Sequence, residues 1–105
     1  MNDYRVVFGR DSLSQLDDLY DYYIADADSP DTALRFTNAI VDFCEGLGDF
    51  PFRGSERDDI RPGLRTIGYR RRVVIAFAVL EEVVAIIGIF YGGRDYESIL
   101  AENGG

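Results

Sequence analysis

The spacing of apolar residues predicts a helical first half of the chain. They recur at steps of mostly three and four, which is typical of two amphipathic helices. Ser12 and Gln15 fit a capping box before the first helix, and Ser29-Pro30-Asp31 is a start signal for the second. The short link between them predicts an antiparallel hairpin. The inward positions are Leu13, Leu16, Tyr20, Tyr23, Ile24 and Ala27, then Phe36, Ile40, Phe43 and Leu47.

The second half of the chain has the composition of strands. Residues 4–8 already predict a first strand, and after a charged loop at 52–62 three further strands follow at 64–69, 73–80 and 83–91. Residues 94–101 predict a final helical turn. The fold class is therefore α+β, in the order β-α-α-β-β-β. We expect an antiparallel meander of the last three strands, with the helical hairpin on one face of the sheet.

Both faces of the last two strands are apolar. In strand 73–80, Ile75 and Phe77 point to one side, while Val74, Ala76 and Ala78 point to the other. An antiparallel sheet with one wet face usually alternates apolar and polar residues. The two helices can cover one face. The second face is then an interaction surface, or the tail folds back over it, or small apolar residues are tolerated there.

Composition narrows the function. The 105 residues fit one domain, 1–105. The net charge of −8 does not suit a general nucleic-acid binder, although residues 53–72 carry seven Arg against three acids. The chain has no His, which removes the commonest general base and the commonest zinc ligand, and it has no Lys and a single Cys. We expect no metal, no cofactor and no membrane segment, and a cytoplasmic protein.

Several short motifs occur in an order that resembles the RelE/ParE toxin superfamily. Asp49-Phe50-Pro51 with Arg53-Gly54 resembles the exit from the second helix, and Gly63-Leu64-Arg65 is similar to the segment that opens the sheet. The ending Tyr91-Gly92-Gly93-Arg94-Asp95 resembles the ParE members. The resemblance covers nearly the whole chain and implies the RelE-like fold.

The resemblance also implies a function. Such chains are toxins of type II toxin–antitoxin systems, among them plasmid stabilization modules, and a cognate antitoxin wraps and neutralises them. ParE-type toxins inhibit DNA gyrase by binding, whereas RelE-type toxins cut mRNA on the ribosome. The hypothesis from the residues is a ParE-like binding inhibitor that is not an enzyme. The alternatives are a ribosome-dependent endoribonuclease and a non-toxic interaction module of the same fold.

The candidate residues follow from the matched positions and from the apolar second face. The antitoxin-binding candidates are Arg65, Arg70, Arg71, Arg72, Val74, Ala76 and Ala78. The target-binding candidates are Arg94, Asp95, Tyr96 and Leu100. If the chain were a nuclease, Arg65, Arg94 and Tyr96 would be its catalytic residues, but Val74 stands where that pattern places another arginine. Such a nuclease needs groups that move protons and cations that stabilise the phosphorane.

Overall fold

The computed structural model of the protein describes residues 4–27, 29–70, 72–92 and 95–103. The predicted element order is confirmed, with one addition, a two-residue strand in the charged loop. The predicted final helical turn is a helix of two turns. No helix in these residues is long and apolar enough to cross a membrane. In chain order the elements are β1 (Arg5–Phe8), α1 (Arg10–Ala27), α2 (Pro30–Gly46), β2 (Ser55–Glu56), β3 (Leu64–Tyr69), β4 (Val73–Leu80), β5 (Val83–Tyr91) and α3 (Tyr96–Asn103).

Among the described residues, the strands form one sheet in the order β1-β5-β4-β3-β2. The antiparallel meander of β3, β4 and β5 is confirmed. The first strand was not expected beside it: β1 runs parallel to β5, with Arg5 opposite Val83 and Phe8 opposite Ile86. The sheet is therefore mixed. A helical crossover can return the chain in this direction, which a tight hairpin cannot.

The first helix does not begin as the capping box predicted. It starts at Arg10, and the Ser12 hydroxyl donates to the Gly9 carbonyl at 2.7 Å, so Ser12 is not the cap. Gln15 does not cap the helix either: its side-chain oxygen accepts a hydrogen bond from the Ile89 N–H of β5 at 2.7 Å. The start signal of α2 is confirmed, because the Thr32 N–H donates to the Ser29 hydroxyl at 3.3 Å.

The main core lies between the helical hairpin and one face of the sheet. Ile40 and Leu47 are fully buried there, as predicted, against residues of β4 and β5 such as Phe77. Leu13 was wrongly placed in this core, since half of its surface is exposed. Its neighbour Ser12 and Leu19 take inward positions, because adjacent helical residues point about 100° apart. For Tyr23, Ile24 and Ala27 the structure describes the helical backbone but not the side chains, so their predicted inward positions lie outside what it describes.

A β-bulge in β5 changes which side chains reach each face. Ala76 pairs with Gly88 but Phe77 pairs with Ile86, so Ile87 has no opposite residue on β4. An extra residue reverses the alternation beyond it. As a result Ile86 and Ile89 both pack into the main core, while Phe90 packs on the second face.

Candidate functional site

The second face of the sheet is covered at its centre by α3. Leu100 is only 2% exposed and packs with Leu64, Ala76 and Phe90 in a second, smaller core. The expectation that Ala76 lies in an open groove is therefore wrong, and the alternative in which the tail folds back is correct there. The signal in the sequence was the helical spacing of Tyr96, Ile99 and Leu100, which was too short to be decisive.

The part of this face nearest the β4–β5 turn stays open. Ala78 pairs with Ala85, which in turn pairs with Val7, while Leu80 pairs with Val83. Leu80 is 60% exposed and Val7 42% exposed, and the other three are half-buried. We call these five residues the apolar strip. At the far end of the face, Val74 is also half-buried.

Arg57 fastens α3 to the loop that precedes β3. Its guanidinium forks onto the Asp59 carboxylate at 3.0 and 2.9 Å, and it also donates to Glu97 and to the Tyr96 hydroxyl. The hydrogen bonds that Arg57 donates to Asp59 and Glu97 raise the pKa of Arg57, and the bond from Arg57 lowers the pKa of Asp59. No local pattern predicts this contact, because 40 residues separate Arg57 from Glu97.

Arg65 is held by the protein itself. It donates to the Arg53 carbonyl at 3.1 Å and to Glu56 at 3.4 Å, and its guanidinium stacks on the Phe52 ring at 5.3 Å. Only 17% of its side chain is exposed. These contacts give Arg65 a structural role, and a binding partner would have to compete with them.

The other predicted arginines are placed as follows. Arg70 lies in the β3–β4 turn with a φ of 51°, and its guanidinium lies over the Tyr69 ring. Arg70 and Arg72 are both exposed. Arg71 and Arg94 lie outside the described residues.

The predicted target-binding segment contributes mainly structural groups. Asp95 is exposed, and its carboxylate accepts the Ser98 N–H at 3.3 Å, which caps α3. The Tyr96 ring packs against Phe90, with centroids 5.9 Å apart. Leu100 is buried, so it is not a surface residue in this conformation. The exposed side of α3 is formed by Glu97, Ser98, Ala101 and Glu102.

The single cysteine, Cys44, lies in the core. Cys44 is fully buried, and burial, with a smaller contribution from Glu45, raises the pKa of its thiol to about 12. Such a thiol is not a nucleophile at neutral pH. Within the described residues, no group of three Cys, Asp or Glu side chains is placed to hold a metal ion.

Comparison with known proteins now decides the family. The family model of the ParE toxin of type II toxin–antitoxin systems, parDE, matches residues 6–96. The chain belongs to the ParE toxin family. Among solved structures, one from the chromosomal ParDE toxin–antitoxin system of P. aeruginosa is similar, with a TM-score of 0.74 and 25% identity. The match covers 88% of this chain and 99% of that chain, and it agrees with the RelE-like fold. No curated protein sequence matches the chain.

In this ParE family member, Arg65 and Tyr96, the two described residues among those proposed for nuclease chemistry, do not lie together. Arg65 stacks on Phe52 at the hairpin side of the sheet, whereas Tyr96 packs on Phe90 in the second core, on the opposite face. The Tyr96 hydroxyl already accepts a hydrogen bond from Arg57 at 3.4 Å. The described residues therefore do not bring Arg65 and Tyr96 to one phosphate.

Proposed function

We propose that this chain is a ParE-like toxin that inhibits DNA gyrase by binding and is neutralised by a cognate antitoxin. Membership of the ParE toxin family carries the proposal. The separation of Arg65 and Tyr96 on opposite faces of the sheet supports inhibition by binding over RNA cleavage.

The antitoxin contacts the apolar strip and the exposed arginines of the β3–β4 turn. Leu80 and Val7 expose apolar surface beside Ala78, as a docking surface requires. Arg70 and Arg72, with Arg71 between them in sequence, supply cations for antitoxin carboxylates. Val74 lies on the same face, whereas Ala76 is buried beneath α3 and Arg65 is held against Phe52, so these two residues are not part of the proposed contact surface.

We place the gyrase-binding surface at residues 94–100, which comprise the first residues of α3 and the two residues that precede it in sequence. Arg94, Asp95 and Tyr96 would contact the target directly. Leu100 would contribute indirectly, because its buried side chain holds α3 on the sheet.

Induced expression of the chain alone tests the function. We expect growth arrest, loss of gyrase supercoiling with the purified protein and intact ribosomal mRNA. Arrest with cut mRNA would establish the endoribonuclease instead, and no arrest would establish a non-toxic interaction module. Co-expression with the cognate antitoxin should restore growth.

Three variants test the surfaces. Leu80→Arg should abolish rescue by the antitoxin and keep toxicity, while Leu34→Arg, a control of 50% exposure on α2, should keep both. Ser98→Arg on the exposed side of α3 should abolish toxicity and keep antitoxin binding. Rescue of Leu80→Arg at the level of the control would exclude the apolar strip.

A further inference from the structure

A second surface lies on the helical side of the sheet. A cavity of about 280 Å³ opens between α1 and the ends of β4 and β5. Leu19 and Ile89, both nearly fully buried, form its floor. Tyr22 and Tyr91 form one wall, with ring centroids 5.3 Å apart. Leu19 and Ile89 belong to the main core, so this cavity is separated by the sheet from the apolar strip.

The rim of the cavity carries opposite charges. Asp18 stands on the α1 side and Arg72 on the sheet side. Gln15 also lines the cavity, but its side-chain oxygen is already bonded to the Ile89 N–H. The acceptor at the rim is therefore the Asp18 carboxylate, which makes no ion pair with any cation in the described residues.

The charge around the cavity favours a cationic occupant. Residues 1–52 hold three Arg against eleven Asp and Glu, a net charge of −8. Asp17 and Asp21 are exposed on α1 beside Asp18. A negative potential at this helix attracts a positive partner segment. Among the described residues that line the cavity, Arg72 is the one cation that opposes this negative potential.

We propose that this cavity binds an arginine side chain presented by a protein partner. The aliphatic part of an arginine fits the Leu19 and Ile89 floor. Its planar guanidinium stacks on the Tyr22 ring, which is 48% exposed, and forks onto the Asp18 carboxylate. An apolar side chain would leave Asp18 without a partner, and lysine lacks the planar group for stacking. The inference rests on the proposed function only in taking the chain to act by binding proteins.

A small probe tests the cavity without an antitoxin or gyrase. N-acetyl-L-arginine methylamide is titrated into the full chain at low ionic strength and followed by amide chemical shifts. The uncharged citrulline analogue is the matched control compound. We expect saturable shifts at Leu19, Ile89 and Tyr91 with the arginine probe, and none with citrulline.

Three variants separate the cavity from general charge attraction. Asp18→Asn should weaken the arginine probe about two- to fivefold, as expected for one exposed ion pair. Asp17→Asn removes the same charge from an adjacent position outside the cavity lining and should change affinity much less. Arg72→Gln should strengthen binding. Equal effects of Asp17→Asn and Asp18→Asn, equal shifts with citrulline, or shifts away from the cavity would overturn the proposal. A toxin that fails to arrest growth but passes this titration would leave the cavity assignment intact.

Discussion

Leu100→Ala tests whether α3 is an integral part of the fold. The Leu100 side chain is 2% exposed and packs on Leu64, Ala76 and Phe90. Truncation of a buried leucine to alanine costs about 2–5 kcal/mol, depending on how far the site relaxes. Because α3 is terminal and its core is small, we expect the lower part of this range, about 2–3 kcal/mol.

The assay is urea unfolding at constant temperature, with Leu34→Ala as the matched control. Leu34 is 50% exposed on α2, so its truncation should cost less than about 0.5 kcal/mol. A loss of 2–3 kcal/mol in a domain of this size lowers Tm on the order of 10 °C. Amide exchange should also show that α3 loses protection first. A Leu100→Ala protein as stable as Leu34→Ala would refute the burial of Leu100 and reopen the second face as a free groove.

Three further predictions concern other contacts. Gln15→Leu removes the acceptor of the Ile89 N–H and should lower the free energy of unfolding by about 1–3 kcal/mol, with Ser14→Ala as a silent control in the same thermal melts. Gly88→Ala would place a Cβ 2.5 Å from the Phe90 ring and should lower the free energy of unfolding in urea by about 1–3 kcal/mol. Gly68→Ala is the control, because the nearest atom to its Cβ would be 4.0 Å away, and it should not destabilise the protein. Similar losses in the two variants would contradict the packing of Phe90 on Gly88. The hydrogen bond from Arg57 lowers the pKa of Asp59 below its ordinary value of 3.8. The ionised carboxylate therefore stabilises the fold at pH values above 3.8, and this contribution is lost as the pH falls through the lowered pKa of the folded protein. The stability difference between the wild type and Asp59→Asn should therefore be present at neutral pH and vanish in acid, while that of Asp17→Asn stays small throughout.

Local sequence patterns predicted the helices and strands, but they did not predict the pairing of strands that lie far apart in the sequence. The helical spacing that ends at Leu47, the Ser29 cap and the apolar runs of β4 and β5 each depend on neighbouring residues, so the sequence contains them directly. The position of β1 beside β5 depends on residues 78 positions apart, Arg5 and Val83, and no local pattern reports it. The bulge at Ile87 also has no local pattern that predicts it, because the residues around it are uniformly apolar.

The candidate site shows the same division. Exposure of Arg70 and Arg72 follows from a charged turn and could be predicted. The partners of Arg65 and Arg57 could not, because arginine side chains are long and many acids are available to them. Ala76 was misplaced since alternation gives the face of a residue but not what covers that face.

The parallel pairing of β1 with β5 also sets an order of assembly during synthesis. Residues 5–8 leave the ribosome first, but their partners at 83–86 are made 78 residues later. At about 5–20 residues per second, that delay is about 4–16 s. The hairpin of α1 and α2 is complete only after residue 46 is made, so for roughly the second half of this interval Ile40 and Leu47 lack the sheet residues that cover them. Pairings of such separation close slowly. We therefore expect a newly started chain to depend on chaperones or rapid completion, and the sheet to form only near the end of translation.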